Sequence, residues 1–304
     1  MNLDAILEFL KLAPRQQTAF YALIDAFKGI TGEMSVQKLV ASFMVIVEML
    51  GCVLFDTPVT PRGEKLDISD YELVFCDDFD GDSLDYTVWK HRGEGARRNG
   101  YNARSQAEVK DGELTLTAEY LTDGMYGEGW YSGMISLRKL YKQGYYEIRC
   151  KCNADDEFWS AFWIQAIEGP YDHNISRGGV GGAEIDIFEA MSYDATLKSN
   201  RNAVTSTVHC NGVDDDIENI DSLCVGEFKV GKDIYNEYNT YGVKWTEDEY
   251  IFYINGIESG RTSFGKGTSQ VPEEVIVSLE IPNEITHGTD FTTQMVVDYV
   301  KIYQ

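Results

Sequence analysis

The chain has 304 residues and a formal net charge of −24, with 19 tyrosines but only 6 prolines. A surface this acidic repels phosphate backbones and anionic membranes, so we expect no nucleic-acid partner and no membrane association. The length suffices for one large β domain or two smaller ones, and the aromatic content of 12% suits strands and a stacked neutral ligand such as sugar.

Residues 1–66 are predicted to form a small helical segment of unknown role. Apolar residues recur here at spacings of three and four, as in Ile6, Phe9 and Leu10. The most apolar run, 39–55, contains Glu48 and is marginal in length for a membrane span, so we expect a buried helix. The start of the chain lacks the basic region of a secretory signal, and the sequence assigns no compartment.

From residue 71 onward the pattern changes to short runs of β-branched and aromatic residues separated by turn residues such as Asp111-Gly112 and Asn255-Gly256. Many strands with little helix predict an all-β sandwich or jelly roll over 67–304. Ten strands are predicted, at 71–75, 113–118, 144–152, 158–164, 184–190, 205–209, 241–245, 250–254, 275–279 and 295–303.

The strand predicted at 184–190 contains three carboxylates within six residues. Glu184 and Asp186 share one face of a pleated strand, whereas Glu189 falls on the other face unless a β-bulge near Ile187 or Phe188 re-aims it. With that bulge, all three acids line one face. Crowded acids raise at least one pKa, so that one carboxyl stays protonated while another is ionised. Glycoside hydrolysis requires this division.

Two other interpretations of the acid row stay open. The row could be the solvated face of an ordinary strand, or it could bind a calcium ion. Asp and Glu are depleted in strands, and calcium sites usually draw on loop carbonyls that a continuous strand commits to its ladder. Catalysis is therefore the favoured interpretation.

The strand predicted at 158–164 places Trp159, Ala161 and Trp163 on one face. Two tryptophans on one face form either a second apolar layer or a platform on which sugar rings stack. In the strand predicted at 205–209, His209 could lie beside Glu189 and assist its proton transfers, or it could be a cleft-edge histidine without a role. The other histidines show no clustering typical of metal ligands.

The sequence strongly resembles glycoside hydrolase family 16, the group of laminarinases, lichenases and agarases. The resemblance covers about residues 71–303. Its acid row has the bulged form E-x-D-x-x-E, as in laminarinase-like and agarase-like members, where lichenases have E-x-D-x-E. The matching segments are LVFCDDFDG at 73–81, VKDGEL at 109–114, SGMIS at 132–136, GYYEIR at 144–149, WSAFW at 159–163, YGVKW at 241–245 and VDYV at 297–300.

The resemblance implies roles for the acids: Glu184 as nucleophile, Asp186 as the residue that tunes it, and Glu189 as general acid/base. It implies a concanavalin-like β-jelly-roll sandwich with a concave sugar-binding cleft into which Trp159 and Trp163 project. No cofactor is expected to be required, although a structural calcium ion stays open, and the protein is expected to be a monomer.

The resemblance implies a retaining endo-acting hydrolase that acts on a polysaccharide or oligosaccharide. A β-1,3- or mixed β-1,3/1,4-glucan is the first expectation for the substrate. The alternatives are a β-galactan or other galactose-containing glycan, a transglycosylase, and a jelly-roll lectin that binds sugar without cleaving it. Three crowded carboxylates speak against the lectin, because a pure binder has no use for them.

Overall fold

The computed structural model describes residues 43, 46–52, 57–166, 179–191, 202–209, 222–263 and 267–304. Its β-strands form two packed sheets, which confirms the predicted all-β jelly-roll sandwich. One 3₁₀ turn, Arg104–Gln106, interrupts the strands. Most of the segment 1–66 lies outside the described residues, as do residues 167–178, which include His173, and residues 192–201.

The sheet that carries the acid row has seven strands in the described part of the chain. In spatial order they are β13 (Ser222–Lys229), β12 (Ala203–His209), β11 (Glu184–Glu189), β10 (Trp159–Gln165), β17 (Glu274–Glu280), β8 (Met134–Leu137) and β2 (Trp89–His91).

The second sheet packs behind the first and has eleven strands within the described ranges. Its neighbouring strands are antiparallel except for one parallel pair, β4 (Gly100–Asn102) with β7 (Gly129–Ser132). The path runs β16 (Ile257–Thr262), β15 (Tyr250–Ile254), β14 (Asn239–Trp245), β9 (Gly144–Lys151), β18 (Thr292–Tyr303), β6 (Glu113–Leu121), β7 (Gly129–Ser132), β4 (Gly100–Asn102) and β3 (Gly95–Arg97), with β1 (Leu73–Asp77) beside β18 and β5 (Ala107–Lys110) beside β6.

All ten predicted strands are present, although their ends shift by up to three residues. The two predicted hairpins are also present: Asp111 and Gly112 have φ of 55° and 81°, and Asn255 and Gly256 have φ of 50° and 73°. Both central residues of a type I′ turn need positive φ, which explains the Asp-Gly and Asn-Gly pairs.

Strict alternation of side chains divides the seven-stranded sheet into a core face and an outer face. Phe162, Ile185 and Val277 belong to the core face, where each is fully buried against the second sheet. The outer face has its own small apolar cluster, formed by Met134, Ala161, Trp163 and Ile276 with Trp159 at its edge. The acid row lies on this outer face.

The chain that precedes the first strand is attached to the sandwich. Residues 46–52 are helical, and Glu48 in that helix pairs with Arg62 at 2.7 Å and with Lys229 at 3.5 Å. Val59 forms a parallel bridge to Phe228 of β13, and Lys65 forms an antiparallel bridge to Ile257. Within the described residues, no helix is long and apolar enough to cross a membrane.

Candidate active site

A β-bulge in β11 brings the three acids onto one face, as the sequence predicts. The pairing with β12 runs from Asp186 opposite Thr207 to Glu189 opposite Thr205, so three residues of β11 advance while β12 advances by two. Ile187 is 2% exposed on the core side. Its carbonyl, displaced from the ladder by the bulge, accepts a hydrogen bond of 2.8 Å from the Ser206 hydroxyl.

Glu189, the last residue of β11, is held by a tryptophan. The Trp159 indole N–H donates to Glu189 Oε1 at 2.9 Å. Burial, together with the charge of Asp186, raises the pKa of Glu189 to about 7 against the opposing effect of the Trp159 hydrogen bond. A carboxylic acid with this pKa still carries its proton near neutral pH and can donate it.

Asp186 lies between the other two acids and contacts a histidine. His209 Nε2 is 3.0 Å from Asp186 Oδ2. Burial raises the pKa of Asp186 to about 6, with the His209 hydrogen bond opposing and the Glu184 charge adding to the shift. Burial alone would lower the pKa of His209, but the hydrogen bond and charge of Asp186 raise it overall.

The contact of His209 differs from the one expected at Glu189. The ladder pairs His209 with Glu184, at the opposite end of β11 from Glu189. The side chain therefore meets the first two acids of the row, and it influences Glu189 only through its charge. The sequence pattern identified the right strand and face but not the register.

Arginine side chains cover the two predicted subsite tryptophans. The Arg98 guanidinium lies 5.0 Å from the Trp159 ring centre, and the Arg92 guanidinium lies 4.8 Å from that of Trp163. Trp163 is only 7% exposed, and its N–H donates to Ser278 Oγ at 3.0 Å. A ligand that reaches this part of the cleft meets guanidinium edges more than bare indole faces.

Two further glutamates of the outer face were missed in the sequence. Glu274 and Glu280 stand at the two ends of β17, and both are nearly buried. Glu280 pairs with Arg97 at 2.6 Å and also with Arg98. The signal was available, because β17 alternates Glu274, Ile276, Ser278 and Glu280 on the face opposite its valines.

The acids, the tryptophans and the arginines surround a small cavity of about 50 Å³. Because this volume holds little more than a water molecule, a bound sugar ring must extend beyond it. Its walls are formed by Arg97, Arg98, Trp159, Ala161, Trp163, Glu184, Asp186, Glu189 and Glu280.

A fully buried carboxyl group supports the start of the acid-bearing strand. Glu273 Oε1 accepts the backbone N–H of Ala183, the residue before Glu184, at 2.8 Å. Its Oε2 has no hydrogen-bond partner in the described part of the chain. Burial raises the pKa of Glu273 to about 8, against the opposing hydrogen bonds from Ser269 and Ala183. Glu273 is therefore neutral at pH 7.

We expect the protein to lose stability as pH rises from about 5 to 8, and Glu273→Gln to remove part of that loss. The folded state keeps the Glu273 proton up to about pH 8, whereas the unfolded chain releases it near pH 4.5. Each pH unit between these values therefore lowers the free energy of unfolding by about 1.4 kcal/mol. Urea unfolding at pH 5, 6.5 and 8 measures the slope. The exposed Glu237→Gln is the control, and equal slopes in both variants would contradict the assignment.

Two clusters could supply ligands to a metal ion among the described residues: Glu184, Asp186 and His209, and Asp155, Asp156 and His287. Calcium prefers oxygen ligands, and each cluster contains a histidine. In the second cluster His287 Nε2 already contacts Asp155 Oδ1 at 2.7 Å. The chemistry of neither donor set favours the structural calcium ion that the sequence leaves open.

A jelly roll with a row of acids on the outer face of one sheet defines the class of a glycoside hydrolase. The chain belongs to glycoside hydrolase family 16: residues 72–304 match the family model described as "Beta-porphyranase A-D, GH16 domain". The family predicted from the sequence is thereby confirmed.

Curated relatives include enzymes named for different polysaccharides. The chain is 28% identical over 206 residues to the endo-1,3-1,4-beta-glycanase ExsH of Rhizobium meliloti, with 64% of this chain and 39% of the relative covered. It is 28% identical over 192 residues to beta-porphyranase E of Zobellia galactanivorans, with 60% of this chain and 65% of the relative covered. The chain thus spans about two fifths of the length of the first relative.

Solved structures share the fold. The non-specific endo-beta-1,3(4)-glucanase SCLam superimposes with a TM-score of 0.62 at 21% identity, covering 83% of this chain and 98% of the other. Porphyranase B from Zobellia galactanivorans also gives a TM-score of 0.62, at 20% identity, covering 82% and 98%. At this level of identity, the likeness establishes the architecture and not the substrate.

Proposed function

We propose that the protein is a retaining endo-acting glycoside hydrolase that cleaves internal β-linkages of a polysaccharide by double displacement. Glu184 is the nucleophile, Glu189 the general acid/base, and Asp186 the residue that tunes Glu184. The observation that carries the proposal is the bulge in β11, which places all three acids on one face. The raised pKa of Glu189, about 7, supports its role as the proton donor.

The proposed reaction has two steps. A Glu184 oxygen bonds to the anomeric carbon, and the bond to the leaving oxygen breaks with its electron pair on that oxygen, which takes the Glu189 proton. Water then bonds to the anomeric carbon while Glu189 takes its proton, and the electron pair of the Glu184 ester bond returns to the carboxylate. Asp186 is hydrogen-bonded to His209 at 3.0 Å and tunes Glu184 from the same face of β11.

The products should keep the anomeric configuration of the substrate. In retaining enzymes the two carboxyl groups lie about 5–5.5 Å apart, which leaves no room for a water molecule between nucleophile and sugar. Proton NMR of the first products, recorded before mutarotation, measures the configuration. Inverted products at early times would remove Glu184 as the nucleophile.

The first candidate substrate is a β-1,3- or mixed β-1,3/1,4-glucan. Support comes from relatives whose names specify such linkages, among them ExsH and the glucan endo-1,3-beta-glucosidase A1 of Niallia circulans, which is 24% identical over 292 residues. The second of these matches covers 82% of this chain.

A specific observation favours a second candidate, a β-galactan or other galactose-containing glycan with acidic substituents. In a chain of net charge −24, the Arg98 guanidinium covers Trp159 beside the acid row. Arginine binds sulfate and carboxylate groups with paired hydrogen bonds. The matching family model, whose description names beta-porphyranases, supports the same substrate class.

A panel of laminarin, lichenan, agar, porphyran and unsulfated galactan, assayed by the release of reducing ends, decides between the two. Short and intermediate oligosaccharides at early times would support endo action. Cleavage of porphyran alone selects the second candidate, and cleavage of laminarin or lichenan selects the first. Saturable binding without cleavage of any member would favour the lectin and contradict the proposal.

A further inference from the structure

A chain of hydrogen bonds leads from Glu184 along the outer face of the sheet. Gln165, the last residue of β10, pairs with Glu184 in the ladder, and its amide N–H donates to Glu184 Oε2. The Gln165 amide oxygen accepts a hydrogen bond of 2.6 Å from Arg92 Nη2. Arg92 Nε donates in turn to Glu274 Oε2 at 2.7 Å. Four side chains are thus connected, and Arg92 donates in both directions, to Gln165 and to Glu274.

This series of hydrogen bonds fixes which end of the Gln165 amide faces Glu184. A guanidinium group only donates hydrogen bonds, so Arg92 can bind the oxygen end of Gln165 and not its NH₂ group. The NH₂ group must then point to Glu184. An amide without this neighbour could turn over and present its oxygen to the carboxylate, which would repel it.

Arg92 is itself held in place. Glu274 is 2% exposed and binds Lys90 Nζ at 2.6 Å as well as the Ser136 hydroxyl at 3.0 Å. Burial would raise the pKa of Glu274, but the bonds from Lys90 and Arg92 lower it, so the group stays ionised. Arg92 also stacks over Trp163 at 4.8 Å. The guanidinium therefore has little freedom to leave Gln165.

We infer that Gln165 is a positioning residue that aims the Glu184 carboxylate at the anomeric carbon, and that Arg92 and Glu274 set the orientation of its amide. The inference rests on the proposed role of Glu184 as nucleophile. It assigns to Gln165 an effect on kcat in the bond-forming step, with little effect on KM, because the residue acts through Glu184.

The sharpest variant is Gln165→Glu, which keeps the shape and the acceptor for Arg92 but replaces the donor that faces Glu184 with a like charge. We expect kcat to fall by about 100-fold, a range typical of lost alignment of a reacting group, with KM within about threefold. Gln165→Leu should lose about as much. The matched control is Gln143→Glu, whose amide also donates to acceptors at 3.0 and 3.1 Å but lies away from the acid row.

A double-mutant cycle with Arg92→Lys tests whether Arg92 acts through Gln165. The lysine keeps a charge for Glu274 but cannot bind Glu274 and Gln165 as the planar guanidinium does. We expect Arg92→Lys to lower kcat about tenfold and the double variant with Gln165→Leu to be no slower than Gln165→Leu alone. Additive losses would mean that Arg92 acts separately on the substrate and would overturn its orienting role.

Trapping of the covalent intermediate separates this inference from the proposed function. The probes are the 2,4-dinitrophenyl 2-deoxy-2-fluoro-β-glycosides of laminaribiose and of galactobiose, and peptide mass spectrometry locates the label. Label on Glu184 that forms much more slowly in Gln165→Leu, with an unchanged melting temperature, supports the inference. Equally fast labelling of Glu184 in both proteins overturns the inference alone, whereas label on another residue of the wild type overturns the proposed function.

Discussion

Glu184→Gln is expected to reduce turnover by about 10⁴-fold or more while the protein stays folded, because an amide cannot form the bond to the anomeric carbon. The substitution is nearly isosteric. The amide also replaces one charge of a crowded row in which Asp186 already has a pKa raised to about 6. Steady-state rates on the best polysaccharide of the panel, with a thermal melt of each protein, measure the effect.

The control for this variant is Glu237→Gln, the same chemical change at an exposed position, which should leave the rate unchanged. A smaller replacement, Glu184→Ala, opens room for azide to attack a substrate with an activated leaving group. The product should then be an α-glycosyl azide, formed by a single inversion. Turnover of Glu184→Gln within tenfold of the wild type would refute the assignment.

Glu189→Gln is expected to lower kcat on polysaccharide by about 10²–10⁴-fold, the usual contribution of a general acid. The loss should depend on the leaving group. A dinitrophenolate leaves without a proton, so the first step on an activated glycoside should keep nearly the wild-type rate. Stopped-flow release of dinitrophenolate measures that step, and a loss as large as that on polysaccharide would exclude Glu189 as the acid.

The pH profile provides a second measurement of the same residue. Glu189 must be protonated for the first step, and its pKa is about 7, so wild-type activity should fall as pH rises through about 7. With activated substrates, Glu189→Ala should lose this fall in activity at high pH. Azide should restore the activity of the variant and give a β-glycosyl azide. An unchanged basic limb in Glu189→Ala would assign that titration to another group.

Local pattern was sufficient to predict that the three acids of the candidate site share one face. Glu184, Asp186 and Glu189 stand among Ile and Phe residues, and only a bulge lets all the apolar side chains face the core while all three acids face outward. The hairpins at Asp111 and Asn255 were equally readable, because positive φ at two successive residues restricts the choice of residue type.

Tertiary pairing determined what the sequence could not. The strands β3 and β4 have three residues each and both begin with glycine, so their extended form depends on neighbours that local pattern does not identify. Arg92 and Gln165 are hydrogen-bonded although they lie 73 residues apart in the sequence. The register that places His209 opposite Glu184 depends on where β12 begins relative to the bulge.

The attachment of residues 57–66 affects how the domain tolerates shortening. Val59 N donates to Glu227 O at 3.0 Å and Lys229 N donates to Val59 O at 2.8 Å, so Val59 pairs with the outer edge of β13, the last strand that the structure describes on this side of the sheet that carries the acids. An uncovered edge strand exposes backbone groups that pair with other chains. A boundary drawn at residue 67 would therefore remove this pairing and expose more of the sheet margin to other chains, whereas one drawn before residue 57 would keep Val59 in place.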